Sequence, residues 1–250
     1  PMHRPIISVQ LYTVRDHMAR DPLKTLETIR SLGYEGVEGS GFGNSPQFLD
    51  KLKEVGLLFT GGHVDLPTLT AKLDDVIEEN KRINNRFVIL PWVDESHRGE
   101  EKKWAALGEQ LNGIGERFRA EGIGFCYHHH DFEISERYGQ KCALDIVLEN
   151  SDAKNLKAEL DTYWLEKGGA DPAKFIEKYA GRVPIVHIKD MDDNGAFAEV
   201  GEGNLDWASI FHVAEKQGVK IYAVEQDVCA GDSLEALATS IANLRKMRKL

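Results

Sequence analysis

No stretch of this chain approaches the roughly 18 consecutive apolar residues of a membrane span, which argues against a membrane partner. Cysteine is scarce: Cys126, Cys142 and Cys229 lie far apart and form no CxxC spacing. That excludes a disulfide framework or a structural zinc knuckle and suits a reducing compartment. Basic charge is in deficit, with 31 Lys and Arg against 41 Asp and Glu in 250 residues and a formal net charge of −10. Nucleic acid is therefore not an expected partner, because phosphate neutralisation needs clustered Lys and Arg. No GxGxxG follows the first strand-like run, no P-loop occurs, and no Ser/Gly/Pro-rich linker divides the chain. Pro1-Met2-His3-Arg4-Pro5 leads straight into a strand-like run without the apolar region of a signal peptide, so a cytoplasmic location is expected. Hydrophobic residues at 42% and charged residues at 29% are those of a soluble globular protein, long enough to bury a full core.

Short apolar runs rich in β-branched residues alternate eight times with amphipathic stretches. The predicted strands are Ile6–Tyr12, Gly36–Gly39, Leu57–His63, Phe87–Trp92, Gly124–His130, Leu156–Tyr163, Val183–Lys189 and Ile221–Asp227. Between them the pattern predicts helices over Pro22–Leu32, Pro46–Val55, Thr68–Ile83, Glu101–Ala120, Cys142–Asn150, Pro172–Tyr179, Asp206–Gln217 and Leu234–Arg248. Asp21, Ser45 and Asp171 each stand as a capping residue before a proline, and glycines such as Gly33 and Gly56 follow helices. A repeat of about 31 residues is one βα unit, and eight of them predict a closed (β/α)8 TIM barrel, an α/β fold in a single domain over residues 1–250. The runner-up, a doubly wound open sheet, lacks its glycine fingerprint.

In such a barrel the reactive groups stand at the C-terminal strand ends. Here the strands end in Gln10 and Tyr12, Glu38, His63, Trp92, the run His128-His129-His130, the run Glu159-Leu160-Asp161-Thr162-Tyr163, His187-Ile188-Lys189, and Glu225-Gln226-Asp227. Side chains alternate with period two, so His128 shares a face with His130, Glu159 with Asp161 and Tyr163, His187 with Lys189, and Glu225 with Asp227. Carboxylates converging on one mouth need a cation. Asp161, His187, Glu225 and a fourth group from strand five make an oxygen/nitrogen set that suits Mn²⁺, Zn²⁺, Co²⁺ or Mg²⁺. Gln10, Tyr12, Glu38, His63, His128, Tyr163 and Trp164 are the expected substrate contacts.

Any one strand-end carboxylate is more often a cap than a ligand; four on successive strands favour a site. His129 is expected to point outward as a structural histidine, Cys126 to fill core, and His3, His17, His97 and His212 to lie at the surface. Lys189 is either a catalytic group or a structural ion pair. The segment Val200-Gly201-Glu202-Gly203-Asn204-Leu205-Asp206-Trp207 either holds phosphate or sugar oxygens on its N–H groups or is a loop capped by Asn204 or Asp206.

These residues resemble the xylose-isomerase-like barrels of the sugar phosphate isomerase/epimerase family over nearly the whole chain. The resemblance is carried by Ser8-Val9-Gln10-Leu11-Tyr12-Thr13, Gly33-Tyr34-Glu35-Gly36-Val37-Glu38, Tyr127-His128-His129-His130-Asp131-Phe132-Glu133, Glu159-Leu160-Asp161-Thr162-Tyr163-Trp164, His187-Ile188-Lys189-Asp190 and Val224-Glu225-Gln226-Asp227. It implies one divalent ion, Mn²⁺ foremost, acting on a keto-sugar. Asp161, His187 and Glu225 match the family's ligands on strands six to eight. On strand five the family's glutamate has no clean counterpart; Glu133 is assigned as the fourth ligand, with His128 as rival. The first expectation is isomerisation or epimerisation through an enediolate, with Glu225 or Glu133 as base and His130 and Lys189 moving protons or stabilising the oxyanion. The Tyr-His-His-His segment is also similar to that of inosose dehydratases, which makes a lyase acting on a keto-inositol or 3-keto-glycoside the alternative. DNA repair, found on related barrels, is opposed by the negative charge, and a non-catalytic sugar-binding role by the presence of the ligands. The expected partner is a small carbohydrate, and self-association stays open.

Overall fold

The computed structural model describes residues 4–40, 45–247 and 249; His3 and Arg248 lie outside them. Eight parallel strands close a barrel: β1 (Ile6–Gln10), β2 (Gly36–Gly39), β3 (Leu58–His63), β4 (Phe87–Leu90), β5 (Gly124–His128), β6 (Lys157–Asp161), β7 (Ile185–Ile188) and β8 (Ile221–Val224). Each pairs with its neighbours in sequence, and β8 closes on β1 with Ile6 opposite Ile221 and Val9 opposite Val224. The (β/α)8 expectation holds. No helix among the described residues is long and apolar enough to cross a membrane.

Period-two alternation splits each strand between two cores. Outward residues such as Phe125, Tyr127, Leu160, Val186 and Val224 pack in one continuous core with helix residues such as Trp104, Leu111, Phe118 and Ile210. Ile89, Cys126, Ile185, Ile221 and Ala223 form a smaller apolar cluster of their own. Cys126 is thus core filling. Above that plug the same faces carry polar groups: His128 follows Cys126, His187 follows Ile185, and Glu225 follows Ala223, each two residues on.

Local chemistry explains the ends. Asp21 and Asp171 accept the N–H groups of Lys24 and Lys174 and cap the helices Pro22–Leu32 and Pro172–Lys178, whereas Ser45 makes no side-chain cap. Gly33 and Gly56 take left-handed φ values of 110° and 80°, where a Cβ would be strained. Several strands end before their predicted limits. Gln10 accepts the N–H of Tyr12 and turns β1 into a 3₁₀ segment, Leu11–Val14. Asp161 accepts the N–H of Trp164 and starts the helix Thr162–Lys167, so Tyr163 and Trp164 are helical. The predicted helix Thr68–Ile83 is two, Leu66–Ala71 and Leu73–Arg82, broken at Lys72.

Candidate active site

Four side chains at the ends of β5 to β8 offer ligand atoms within 4.8 Å of one another: His128, Asp161, His187 and Glu225. His128 Nε2 stands 3.3 Å from Asp161 Oδ2, and His187 Nδ1 is 3.2 Å from Glu225 Oε1 and 3.6 Å from Asp161 Oδ2. All four are buried. Two imidazoles and two carboxylates balance a divalent charge and suit a borderline ion such as Mn²⁺ or Zn²⁺, so this donor set fits one.

Lys189 holds the same carboxylates together. Its ammonium is fully buried, 2.9 Å from Asp161, 2.7 Å from Glu225 and 2.8 Å from Asp227. These are ion pairs without hydrogen-bond alignment. Burial by itself would lower the lysine pKa, but Asp161, Glu225 and Asp227 outweigh it and hold Lys189 well above the ordinary range. In return, burial would raise Asp161, yet Lys189 and the bonds from His128 and His187 keep it well below the usual carboxylate range. Burial also opposes ionisation of Glu225, and Lys189 and His187 overcome it. Asp227 goes the other way, pushed up by burial and by its neighbour Glu225.

Beneath lies a second group. Glu38 Oε1 receives Gln10 Nε2 at 2.8 Å, His63 Nε2 at 2.7 Å and His187 Nε2 at 2.7 Å. Glu159 Oε1 is also 2.7 Å from His187 Nε2. A cavity of about 810 Å³ opens above both groups, with Gln10, Tyr12, His63, His128, His130 and Glu225 in its walls. Tyr12 and Trp92, 52% and 50% exposed, stand at its rim. Glu38 sits below the lining, acting on it through Gln10 and His63.

Two assignments need correction. Glu133 does not join the ligand set. The short helical turn Phe132–Ser135 carries it back behind β5, where Oε1 accepts the His130 N–H and Oε2 the Tyr127 hydroxyl, each at 2.8 Å. Tyr127 has the opposite parity to His128, so this carboxyl is on the far side of the barrel wall, and His128 takes the strand-five position. Tyr163 does not face the cavity either. Its hydroxyl donates to the Gly195 carbonyl at 2.6 Å and its ring stacks on Phe197, because the Asp161 cap breaks the strand parity that placed it inward.

His129 is structural: Nδ1 donates to the His130 carbonyl, Nε2 accepts the Asp161 N–H, and burial pushes its pKa down to about 3. His130 stacks on Phe132 and lines the cavity with Nδ1 unpartnered; burial, then His128, lowers it to about 2, so the ring is neutral. Trp164 lies beside His130 with Lys189 over its ring. The glycine-rich segment is no phosphate cradle: Asp190 already accepts the N–H groups of Gly201, Gly203 and Leu205, and Asp206 caps the helix Trp207–Lys216. His17 pairs with Asp232, half-buried at the surface. The sequence placed Glu159 and Asp227 on the faces of Asp161 and Glu225 but gave neither a role, although each is two residues from an assigned ligand.

A family model for the xylose isomerase-like TIM barrel matches residues 26–247. The chain belongs to this family. Among its relatives is an inosose dehydratase of Clostridium perfringens, 26% identical over 191 residues that cover 68% of this chain and 63% of the relative. The chain thus spans less than two thirds of that relative's length. A solved sugar phosphate isomerase/epimerase from Parabacteroides distasonis superposes with a TM-score of 0.82 at 21% identity, over 97% of this chain and 94% of that one. D-psicose 3-epimerase with D-tagatose from Clostridium cellulolyticum superposes at 0.74 and 13% identity, over 96% of this chain and 98% of that one. At these identities the two solved structures share the fold alone.

The position of Glu133 carries a prediction. Burial pushes its carboxyl up to about 7, against the lowering effect of the His130 N–H and Tyr127 hydroxyl. A folded-state pKa above the unfolded value of about 4.3 means a stabilising contribution, full below pH ~4 and lost as pH rises through ~7. Glu133→Gln should therefore remove that slope from urea unfolding measured between pH 5 and pH 7.5, and should keep the divalent ion. Loss of the ion in this variant would restore Glu133 as a ligand.

Proposed function

We propose that this chain removes the proton α to the carbonyl of a keto-sugar or keto-cyclitol and then expels a β-oxygen substituent, as a dehydratase or lyase. The observation that carries the reading is His128 in the strand-five position, with Glu133 tied up behind the wall. Epimerisation by two opposed carboxylates needs a second carboxylate there. Elimination needs unlike groups instead, one to take a proton and one to give it. The similarity to an inosose dehydratase supports the same choice.

His128, Asp161, His187 and Glu225 would hold the divalent ion, which supplies Lewis-acid polarisation of the carbonyl when bound. Glu225, ionised and in the cavity wall, takes the α-proton; His130, neutral with Nδ1 free, stands ready on the same cavity to relay it. Asp227, on the same wall of the cavity and paired with Lys189, takes that proton over from Glu225 and hands it to the departing oxygen. Lys189 keeps Asp161 and Glu225 ionised and adds positive charge against the developing oxyanion.

The test is single-turnover conversion of keto-inositols and 3-keto-glycosides, with and without deuterium α to the carbonyl. Elimination yields a product that lacks the leaving group and carries a conjugated double bond, and the deuterated substrate reacts several-fold more slowly. A product of unchanged mass would return the assignment to epimerisation. Turnover with neither isotope effect nor solvent exchange would sink enolisation altogether.

A further inference from the structure

In the lower group one carboxyl, Glu159, has no hydrogen-bond partner on either oxygen. Glu38 and Glu159 are fully buried side by side, and Glu38 Oε2 and both oxygens of Glu159 accept no hydrogen bond. His187 Nε2 lies 2.7 Å from an oxygen of each, yet one ring nitrogen carries one proton at most, and its bond is made to Glu38. Lys189, the only buried lysine among the described residues, is committed to Asp161, Glu225 and Asp227. Glu38 has the bonds from Gln10, His63 and His187 on its Oε1, so the carboxyl left over is Glu159, and an unpaired carboxylate is not left in an apolar interior without a counter-charge.

We propose that Glu38, His63, Glu159 and the Nε2 side of His187 form a second divalent-cation site in the barrel interior. One ligand atom from each lies within 4.8 Å of the others, as in the upper set. Two carboxylates neutralise one divalent ion, and the oxygen/imidazole mixture suits Mn²⁺ or Zn²⁺ as the upper set does. The His187 ring separates the two sites, turning Nδ1 to the upper and Nε2 to the lower. Entry is from the cavity, whose wall contains His63 and Gln10. The two sites share His187, whose ring bridges both ions as the imidazolate and releases its proton to solvent when the second ion binds. A proton shared between Glu38 and Glu159 is the competing explanation for their proximity, and it binds no ion.

The experiment counts Mn²⁺ bound per chain by the fall in the free-ion electron paramagnetic resonance signal, on chelator-treated protein. The full chain should bind two ions. Glu159→Gln and Asp161→Asn should each bind one, and His63→Gln should weaken one of the two by about 10–100-fold. Circular dichroism and thermal unfolding check that the variants fold; if Glu159→Gln does not, the wild-type count and His63→Gln decide. A single ion in the wild type, lost in Asp161→Asn and kept in Glu159→Gln, would overturn the second site and leave the reading above standing. Two ions retained in Glu159→Gln would overturn it equally, and no ion in the wild type would remove both.

Discussion

Asp161→Asn is expected to empty the upper ligand set and to lower kcat/KM by about 10³-fold or more, the scale of losing a preorganised electrostatic group together with its ion. The substitution isolates the charge. Asp161 Oδ1 accepts the Trp164 N–H at 2.9 Å and starts the helix Thr162–Lys167, a role that the Asn carbonyl can keep. Its backbone N–H still reaches His129 Nε2. What disappears is the negative charge between His128, His187 and Lys189. Metal analysis and a thermal melt on the same sample separate the two effects. A variant that melts like the wild type and retains full metal and activity would refute the site.

Lys189→Met should produce the largest change in stability. The ammonium is the shared counter-charge of Asp161, Glu225 and Asp227, and its removal leaves three carboxylates facing one another. Breaking a buried ion pair from one side costs about 3–5 kcal/mol, which in a chain of this length lowers the melting temperature by about 10 °C. Saturation with Mn²⁺ should recover part of the loss, roughly 2.7 kcal/mol at a hundredfold excess over the dissociation constant. The pH dependence has a definite sign. Without Lys189 the carboxylates titrate higher in the fold, so the variant gains stability as pH falls and loses it as pH rises. An unchanged melting temperature in metal-free buffer would show that Lys189 does not hold the carboxylates together.

The sequence by itself determined the barrel and pointed to most of the residues that meet in the upper cluster. Both are local signals. Caps such as Asp21 and glycines such as Gly33 mark helix ends within one turn, and period-two alternation puts His128, His187 and Glu225 on the face of the apolar plug residues that precede them. Asp161, His187 and Glu225 were legible because each ends a strand, where this fold gathers its reactive groups. Only the tertiary structure decided how strand ends turn. One cap at Asp161 rotates Tyr163 away from the cavity, and one helical turn after β5 carries Glu133 behind the wall, because side-chain hydrogen bonds override the alternation where a strand stops. It also decided that Glu38 and Glu159, far apart in sequence and on β2 and β6, meet at one ring nitrogen of His187. Distance across a barrel depends on closure and register around all eight strands, a property of their joint packing that no single strand encodes.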